Sequence, residues 1–299
     1  MGKEITLRHK GKVGECPINE FDIASMNDDA AIVMIAKRRS GKSWVVRAIL
    51  YYYSNRIPTG IVISKTERMS SFYSKIVPDT YIYYDYQSET IGRLLSRQTD
   101  IIKKAKEKKK LGKNVNTKAF IVMDDCLSSK GEWAKDQSIS ELLFNGRHYH
   151  VMYILTMQFP LGIKPELRCN FDYIFLLADD GIGNQKRIFE HYAGIFPNFE
   201  AFRQVFGELT KDHGCMVIEN SGCGNNFLDK IYYYKAPDLS DITMMIGSSQ
   251  YKKFHTDNYD AKWAENQMKN GVTFDRKLFD RREIQKNPLI VNKIKNNKY

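Results

Sequence analysis

The sequence predicts an α/β protein in which a mostly parallel central sheet is flanked by helices. The first observation is a series of short apolar runs separated by segments with helical patterning. The second is that polar or charged residues follow several of these runs directly, as ligand-binding residues do at the carboxyl ends of parallel strands. The third is size, because 299 residues with 42% hydrophobic content suffice for a large buried core.

Each element of this fold class rests on a local pattern. The predicted strands are the apolar runs 30–35, 61–64, 81–84, 119–123, 151–158, 173–178, 215–219 and 231–235. The predicted helices are 44–53, 88–110, about 135–145, 184–192 and 198–206. Strands and helices alternate through the first half of the chain, which indicates crossover connections and therefore parallel strands.

The first strand–loop–helix unit carries a candidate phosphate-binding loop. Residues 30–35 end at the sequence AKRRSGKS, after which a helix can begin at Trp44. This layout is typical of a P-loop, in which backbone N–H groups and the positive end of the helix surround a nucleotide phosphate. The candidate nucleotide-binding residues are Ala36, Lys37, Arg38, Arg39, Ser40, Gly41, Lys42 and Ser43.

Two of these residues have individual predicted roles, and one departs from the motif. Lys42 is expected to reach the β- and γ-phosphates of ATP, and the Ser43 hydroxyl to bind Mg²⁺. Ala36 stands where G-x-x-x-x-G-K-[ST] has its first glycine. An alanine would strain the loop if that position required a positive φ. The predicted cofactors are therefore ATP and Mg²⁺.

A second strand ends in two adjacent carboxylates. Residues 119–123 lead directly into Asp124 and Asp125. Asp124 at the strand tip can hold Mg²⁺ through water, as a Walker B acid does. Asp125 is placed to orient the attacking water or to accept its proton. A polar strand end of this kind is also common in α/β proteins without catalytic function, but the P-loop upstream favours the catalytic interpretation.

Two further candidates flank the strand at 151–158. Gln158 ends this strand, where an amide can sense the γ-phosphate or position water. Arg147 precedes the strand and can supply a cation that stabilises transition-state charge, in its own site or in that of a neighbouring subunit. Their order along the chain after Lys42 and Asp124 is what distinguishes them from ordinary surface residues.

Charge indicates a polyanionic partner, most plausibly nucleic acid. The formal net charge is +11, and about half of it lies in residues 250–299. Residues 103–113 form a second basic segment, which can be a solvated helix end or a contact to the phosphate backbone.

We expect an N-terminal extension at 1–28, an ATPase domain at 29–247 and a basic, partly flexible tail at 248–299. No apolar stretch reaches membrane-spanning length, so no transmembrane segment is expected.

Three segments together carry a family resemblance. AKRRSGKS, FIVMDDC and NGRHYHVMYILTMQFP resemble the DNA-packaging ATPases of large nucleocytoplasmic DNA viruses, in the HerA/FtsK branch of P-loop ATPases. The resemblance spans residues 32–178. It implies a RecA-like core, a glutamine sensor at Gln158, a trans-acting arginine at Arg147, and Asp125 in place of the glutamate of many relatives.

The same resemblance implies partners and a location. Members of this family thread double-stranded DNA into a capsid, which implies double-stranded DNA and capsid or portal-vertex proteins as partners. A homo-oligomeric ring, pentameric or hexameric, is expected. The expected location is the cytoplasm of the infected host cell (the viral factory), the virion, or both.

Two other functions remain open at the level of sequence. The first is a nucleotide or small-molecule kinase, which would need arginines such as Arg187 and Arg203 on mobile segments beside a substrate pocket. The second is a nucleic-acid-binding protein with an inactive P-loop, which Ala36 would allow. Retention of Lys42 and both carboxylates argues against it.

Overall fold

A nine-stranded sheet lies at the centre of the computed structural model, which describes residues 5–9, 12–126, 136–221, 227–242 and 244–262. The chain forms two compact units, Met1–Asp257 and Asn258–Tyr299. Of the second unit only residues 258–262 are described, so most of the predicted basic tail, 263–299, lies outside the described residues.

The strands from β4 onward follow the predicted positions closely, whereas β1, β2 and β3 were not predicted; the α/β fold class is confirmed. They are β1 Ile5–His9, β2 Lys12–Cys16, β3 Asn19–Glu20, β4 Ala31–Ile35, β5 Gly60–Ser64, β6 Ile82–Tyr83, β7 Ala119–Asp124, β8 Val151–Met157, β9 Tyr173–Leu177, β10 Gly214–Glu219 and β11 Ile231–Lys235. β1 and β2 form a separate antiparallel hairpin.

The large sheet is mostly parallel. Its strand order is β3-β11-β10-β9-β4-β8-β7-β5-β6. β10 pairs antiparallel with both of its neighbours, and every other pairing in this sheet is parallel. β8 lies between β4 and β7, so the strands that precede the P-loop and Asp125 are separated by one strand.

The helices lie in the connections between strands, except the last, which follows β11. They are α1 Lys42–Tyr52, α2 Glu67–Ser70, α3 Ser88–Lys110, α4 Gln137–Asn145, α5 Pro165–Arg168, α6 Ile182–Tyr192, α7 Phe199–Leu209 and α8 Ser249–Asn258. α3 has the predicted bounds, and α1 begins two residues earlier than predicted, at Lys42.

The core lies on both faces of the sheet. On β4, Val33 and Ile35 belong to one cluster of buried side chains, and Ile32 and Met34 belong to the other. Side chains of a strand alternate between faces, so a parallel strand covered by helices on both faces must be apolar along its whole length. This is why these strands appear in the sequence as unbroken apolar runs.

Described residues on either side of the predicted ATPase domain pack against it. Phe21, Ile23 and Met26 are buried, and the Tyr53 hydroxyl donates a hydrogen bond to the Ile23 carbonyl at 3.0 Å. In α8, the buried Tyr251 donates to the Gly60 carbonyl at 2.8 Å. The division of the chain at residues 28 and 247 stays a prediction.

Candidate active site

A cavity of about 960 Å³ opens at the edge of the sheet where β4, β7 and β8 have their carboxyl ends. Parallel strands bring their carboxyl ends to one edge, which explains why residues from distant parts of the chain meet here. The cavity is lined by Ala36, Lys37, Arg38, Arg39, Gly41, Lys42, Ser43, Trp44, Thr66, Met69, Phe72, Asp124, Asp125, Gln158, His213, Lys235, Ala236, Pro237, Asp238 and Ser240.

The loop between β4 and α1 has the backbone that its sequence requires, but the strain expected at Ala36 is not found. Ala36 is buried and does not have a positive φ, so the condition under which an alanine would strain this position is not met. Positive φ occurs at Arg39, with 64°, and at Gly41, with 102°. Gly41 suits this conformation because glycine adopts the left-handed region without a Cβ clash. α1 then begins at Lys42, so its positive end faces the cavity.

Lys42 and Asp124 form an ion pair at the base of the cavity. The Lys42 Nζ lies 3.0 Å from Asp124 Oδ1, and the two side chains are only 14% and 6% exposed. Thr156 Oγ1 donates to the same carboxylate at 2.5 Å, and Ser64 Oγ approaches its other oxygen at 3.5 Å. Lys42 is therefore held within reach of the space in front of the loop.

Asp125 and Gln158 are in direct contact. Gln158 Nε2 donates to Asp125 Oδ2 at 2.6 Å, and Gln158 Oε1 accepts from Arg38 Nε at 3.2 Å. Asp125 has a φ of 52°, unusual for a residue other than glycine, and its N–H donates to Thr156 Oγ1 at 3.1 Å. The left-handed backbone turns the second carboxylate away from the strand direction.

The donor set fits a magnesium ion. Ser43 and Asp124 both line the cavity and offer a hydroxyl and a carboxylate oxygen, the hard oxygen ligands that Mg²⁺ prefers. Lys42 is paired with that carboxylate, so a cationic partner is already accommodated there.

Arg147 is not in this cavity. It lies in the turn between α4 and β8, at the amino end of the strand and thus at the opposite edge of the sheet. Its guanidinium forms an ion pair with Asp172, which is 4% exposed, while the Arg147 side chain is 64% exposed. Asp172 Oδ2 also accepts from the Ala31 N–H at 2.9 Å, at the start of β4. Arg147 cannot reach the nucleotide cavity of its own chain from this edge.

Several wall residues were not predicted from the sequence. Trp44, Met69 and Phe72 form an apolar wall, with the Trp44 and Phe72 rings 6.4 Å apart and close to perpendicular. Lys235, the last residue of β11, and the segment that follows it also line the cavity. Trp44 follows Ser43 directly and could have been found from the motif. The place of β11 depends on strand order, which local sequence does not encode.

A buried acid holds this apolar wall in place. Glu67, 3% exposed, accepts hydrogen bonds from the N–H groups of Phe72, Tyr73 and Ser74 at 3.1, 3.0 and 2.8 Å. Three donors converging on one carboxylate fix the turn after α2, and Phe72 with it.

Burial and charge shift the pKa of groups around the site. Burial, with Asp124 nearby, raises the pKa of the Tyr73 hydroxyl well above its usual value. Burial raises the pKa of the Cys126 thiol to about 12. The hydrogen bond to Asp180 raises the pKa of Lys37 at the cavity mouth, where the Lys37 Nζ lies 2.6 Å from Asp180 Oδ1.

The two arginines that a kinase would need do not line the cavity. Arg187 lies over the ring of Phe159 and donates to Asn184 at 3.0 Å, and Arg203 lies near Glu200 at 3.8 Å.

Within the described ranges, no helix combines the length and the apolar composition of a membrane span.

The chain is similar to proteins of large DNA viruses. It is 44% identical to the uncharacterised protein L437 of Acanthamoeba polyphaga mimivirus over 87% of this chain and 90% of that protein. It is 33% identical to the uncharacterised protein 075L of Invertebrate iridescent virus 6 over 79% of this chain and 88% of that protein. No protein-family profile matches the chain.

Among solved structures, the fold is similar to the genome packaging NTPase B204 of Sulfolobus turreted icosahedral virus 2, determined in complex with AMPPCP. The TM-score is 0.50 at 18% identity, over 71% of this chain and 100% of B204. At this identity the likeness shows a shared fold. The resemblance inferred from the three sequence segments is thereby confirmed. The chain belongs to a family of proteins of large nucleocytoplasmic DNA viruses that includes mimivirus L437 and iridescent virus 075L, and it has the P-loop fold of a viral genome packaging NTPase.

Proposed function

We propose that this protein is an ATP-driven motor that translocates double-stranded DNA and packages a viral genome into its capsid. The observation that carries the proposal is the contact of Lys42 with Asp124, beside Asp125 and Gln158, in one cavity at the end of a P-loop. The fold shared with a viral genome packaging NTPase and the viral relatives support it.

The cavity residues divide the work of binding ATP. Backbone N–H groups of the 36–43 loop and the positive end of α1 bind the phosphates, and Lys42 contacts the β- and γ-phosphates. Ser43 and Asp124 would hold Mg²⁺, which supplies charge neutralisation on the phosphate oxygens. Lys42 would exchange part of its contact with Asp124 for the nucleotide when ATP enters.

Asp125 and Gln158 act on the water. Asp125 accepts a hydrogen bond from, and orients, the water that attacks the γ-phosphorus. The Gln158 amide, bonded to Asp125 at 2.6 Å, holds that carboxylate in one orientation. Its other end contacts Arg38 in the P-loop at 3.2 Å, so a γ-phosphate in the loop can alter the position of Gln158.

Arg147 acts on a neighbouring subunit. Its place at the sheet edge opposite the cavity suits an arginine that completes another subunit's site, where it stabilises negative charge in the transition state. Such a head-to-tail arrangement closes into a ring, which we propose to be pentameric or hexameric.

The partners follow from the work of packaging. Double-stranded DNA is the substrate that moves, and capsid or portal-vertex proteins hold the ring at the entry point. The protein then acts in the cytoplasm of the infected cell, in the viral factory, and on the virion as it fills.

The test is Mg²⁺-dependent ATP hydrolysis with and without long double-stranded DNA. We expect DNA to stimulate hydrolysis, and we expect both Lys42→Ala and Asp125→Asn to abolish it, with nucleotide binding kept only in Asp125→Asn. Lys211→Ala, an exposed lysine outside the cavity, is the matched control and should behave as the wild type. Hydrolysis that is indifferent to DNA would contradict the motor and favour another NTPase or a kinase.

A further inference from the structure

The carboxyl-terminal end of α3 is a strongly basic projection. Residues 103–113, here called the α3 basic end, contain seven lysines and one glutamate. All seven lysine side chains are exposed. They are Lys103, Lys104, Lys106, Lys108, Lys109, Lys110 and Lys113. More than half of the chain's net charge of +11 is thus gathered in one short segment.

This end extends beyond the core as a well-formed helix. The last buried residue of α3 is Gln98, whose amide donates to the carbonyls of Thr117 and Tyr149 at 2.8 and 2.7 Å. Lys110 lies twelve positions after Gln98, and at about 1.5 Å per position this part of the helix extends about 18 Å. The projection therefore has a fixed root and a defined length.

The tip of the helix is capped. Gly112 has a φ of 73°, its N–H donates to the Lys109 carbonyl, and the Lys113 N–H donates to the Lys108 carbonyl, both at 3.0 Å. This is the Schellman arrangement, in which glycine adopts the left-handed conformation that ends a helix. The capped helix consequently fixes the backbone positions from which the lysine side chains extend.

The charge of this segment has no counterpart within the described protein. None of the ion pairs between described residues includes a lysine of the α3 basic end. Lys104 and Lys108, and likewise Lys106 and Lys110, are four residues apart on the helix, a spacing at which like charges repel. The helix dipole favours cations only in the last turn, so an anionic partner would offset the remaining repulsion.

We propose that the α3 basic end binds the phosphate backbone of double-stranded DNA, an inference that rests on the proposed function. Lysine is a point charge that contacts phosphates without reading bases, which suits a motor that must tolerate every sequence. Residues 99–119 contain no aromatic side chain, so the segment has no stacking surface for single strands. A helix about 10–12 Å across also matches the width of the major groove, about 12 Å, with a row of phosphates on each side.

The topology separates this surface from the ATP cavity. α3 follows β6 and leads back to the start of β7, so its basic end lies towards the amino edge of the sheet, opposite the cavity. The Thr117 hydroxyl and His150 Nδ1, 2.6 Å apart, join the segment after α3 to the turn that carries Arg147. Lysine substitutions here should therefore change DNA binding and leave DNA-independent hydrolysis unchanged.

The test measures binding of two unrelated 30-base-pair duplexes to the full-length protein by fluorescence anisotropy over a series of salt concentrations. Lys103, Lys106 and Lys110 lie along one stripe of the helix and are changed together to glutamine. Each lost phosphate contact lowers the slope of log K against log salt by about 0.9, so we expect a decrease of about 2 to 3 and an affinity loss of about 10-fold or more on both duplexes.

Two controls accompany this variant. Lys164→Gln, Lys211→Gln and Lys253→Gln together remove the same charge from exposed lysines elsewhere and should leave the slope near that of the wild type. Arginine at the three α3 positions keeps the charge and should restore the slope. Hydrolysis without DNA should be equal in all variants.

The outcomes separate this inference from the proposed function. One outcome is that the wild type shows DNA-stimulated hydrolysis while the α3 variant keeps the wild-type slope, or loses no more of it than the control. DNA binding by the α3 basic end is then overturned, and the proposed motor function is not. If polyglutamate of equal charge competes as well as the duplex does, the partner is an acidic protein and the inference is overturned. If the wild type binds no duplex, both proposals fail.

Discussion

At the scale of single residues, Thr156 links the two carboxylates of the cavity. This fully buried hydroxyl donates to Asp124 Oδ1 at 2.5 Å and accepts from the Asp125 N–H at 3.1 Å. One side chain therefore sets both the direction of Asp124 and the left-handed backbone of Asp125. Its place in the cavity follows from the pairing of Asp124 with Thr156 across β7 and β8.

Thr156→Val should damage both stability and activity. Valine has the same shape but leaves the Asp125 N–H without its partner, so we expect the free energy of unfolding to fall by about 1–3 kcal/mol. Misplaced carboxylates should lower kcat by about 10- to 100-fold. Urea denaturation and initial rates measure the two effects. Thr156→Ser keeps the hydroxyl and should retain most of both; an active, stable Thr156→Val protein would contradict the assigned role.

Cysteine reactivity follows burial. Only the thiolate reacts with alkylating reagents, and burial raises the pKa of Cys126 to about 12, so this thiol stays protonated at pH 8. Cys169 is exposed. We expect iodoacetamide at pH 8 to modify Cys169 within minutes and Cys126 only after denaturation, as read by peptide mass spectrometry. Equal modification of both in the native protein would contradict the burial of Cys126.

Asp124 and Gln158 could be predicted from the sequence because each stands at the end of an apolar run, and Lys42 because it belongs to the Gly-Lys-Ser motif in the loop after β4. In the structure, Lys42, Asp124 and Gln158 all line the cavity. The φ of Ala36 could not be inferred from the motif, because the backbone of the whole loop determines which positions are left-handed. Here those positions are Arg39 and Gly41.

At the scale of elements, the short helix α2 and its following turn form one wall of the cavity. Glu67 holds this turn through three backbone N–H groups. The sequence gives little sign of this role, since a lone glutamate in a polar segment is normally exposed. The segment after β11 was missed for another reason: its position depends on the pairing of β10 with β9, between strands far apart in the sequence.

Glu67→Ala should loosen that wall. Three N–H groups would lose their acceptor, so we expect the free energy of unfolding to fall by about 2–4 kcal/mol. We also expect a higher Kd for ATP, because Phe72 would no longer be fixed beside Trp44. Thermal unfolding and titration with a fluorescent ATP analogue measure these effects. Glu89→Ala, an exposed acid on α3, is the control; an unchanged Kd would show that the wall does not contact the nucleotide.

At the scale of the whole molecule, the residues to which we assign functions lie at two different edges of the sheet. The carboxyl edge carries the cavity, and the amino edge carries Arg147 and the α3 basic end. The position of Arg147 before β8 and of Gln158 after it separates the two residues by the length of that strand.

Mixing two inactive variants tests the action of Arg147 between subunits. Arg147→Ala and Lys42→Ala should each be inactive alone. In mixed rings, an Arg147→Ala subunit keeps an intact cavity and receives the arginine of a Lys42→Ala neighbour, so about a quarter of wild-type hydrolysis should return at equal ratios. The measured quantity is the rate across mixing ratios. A mixture as inactive as its components would contradict the action of Arg147 in the site of a neighbouring subunit.

The central claim, that ATP hydrolysis moves double-stranded DNA, is tested most directly by displacement of a triplex-forming oligonucleotide from a long duplex. A translocating motor strips the third strand as it passes. We expect ATP-dependent displacement by the wild-type protein and none by Asp125→Asn, which should still bind ATP and DNA. Hydrolysis stimulated by the duplex with the third strand left in place would contradict the account.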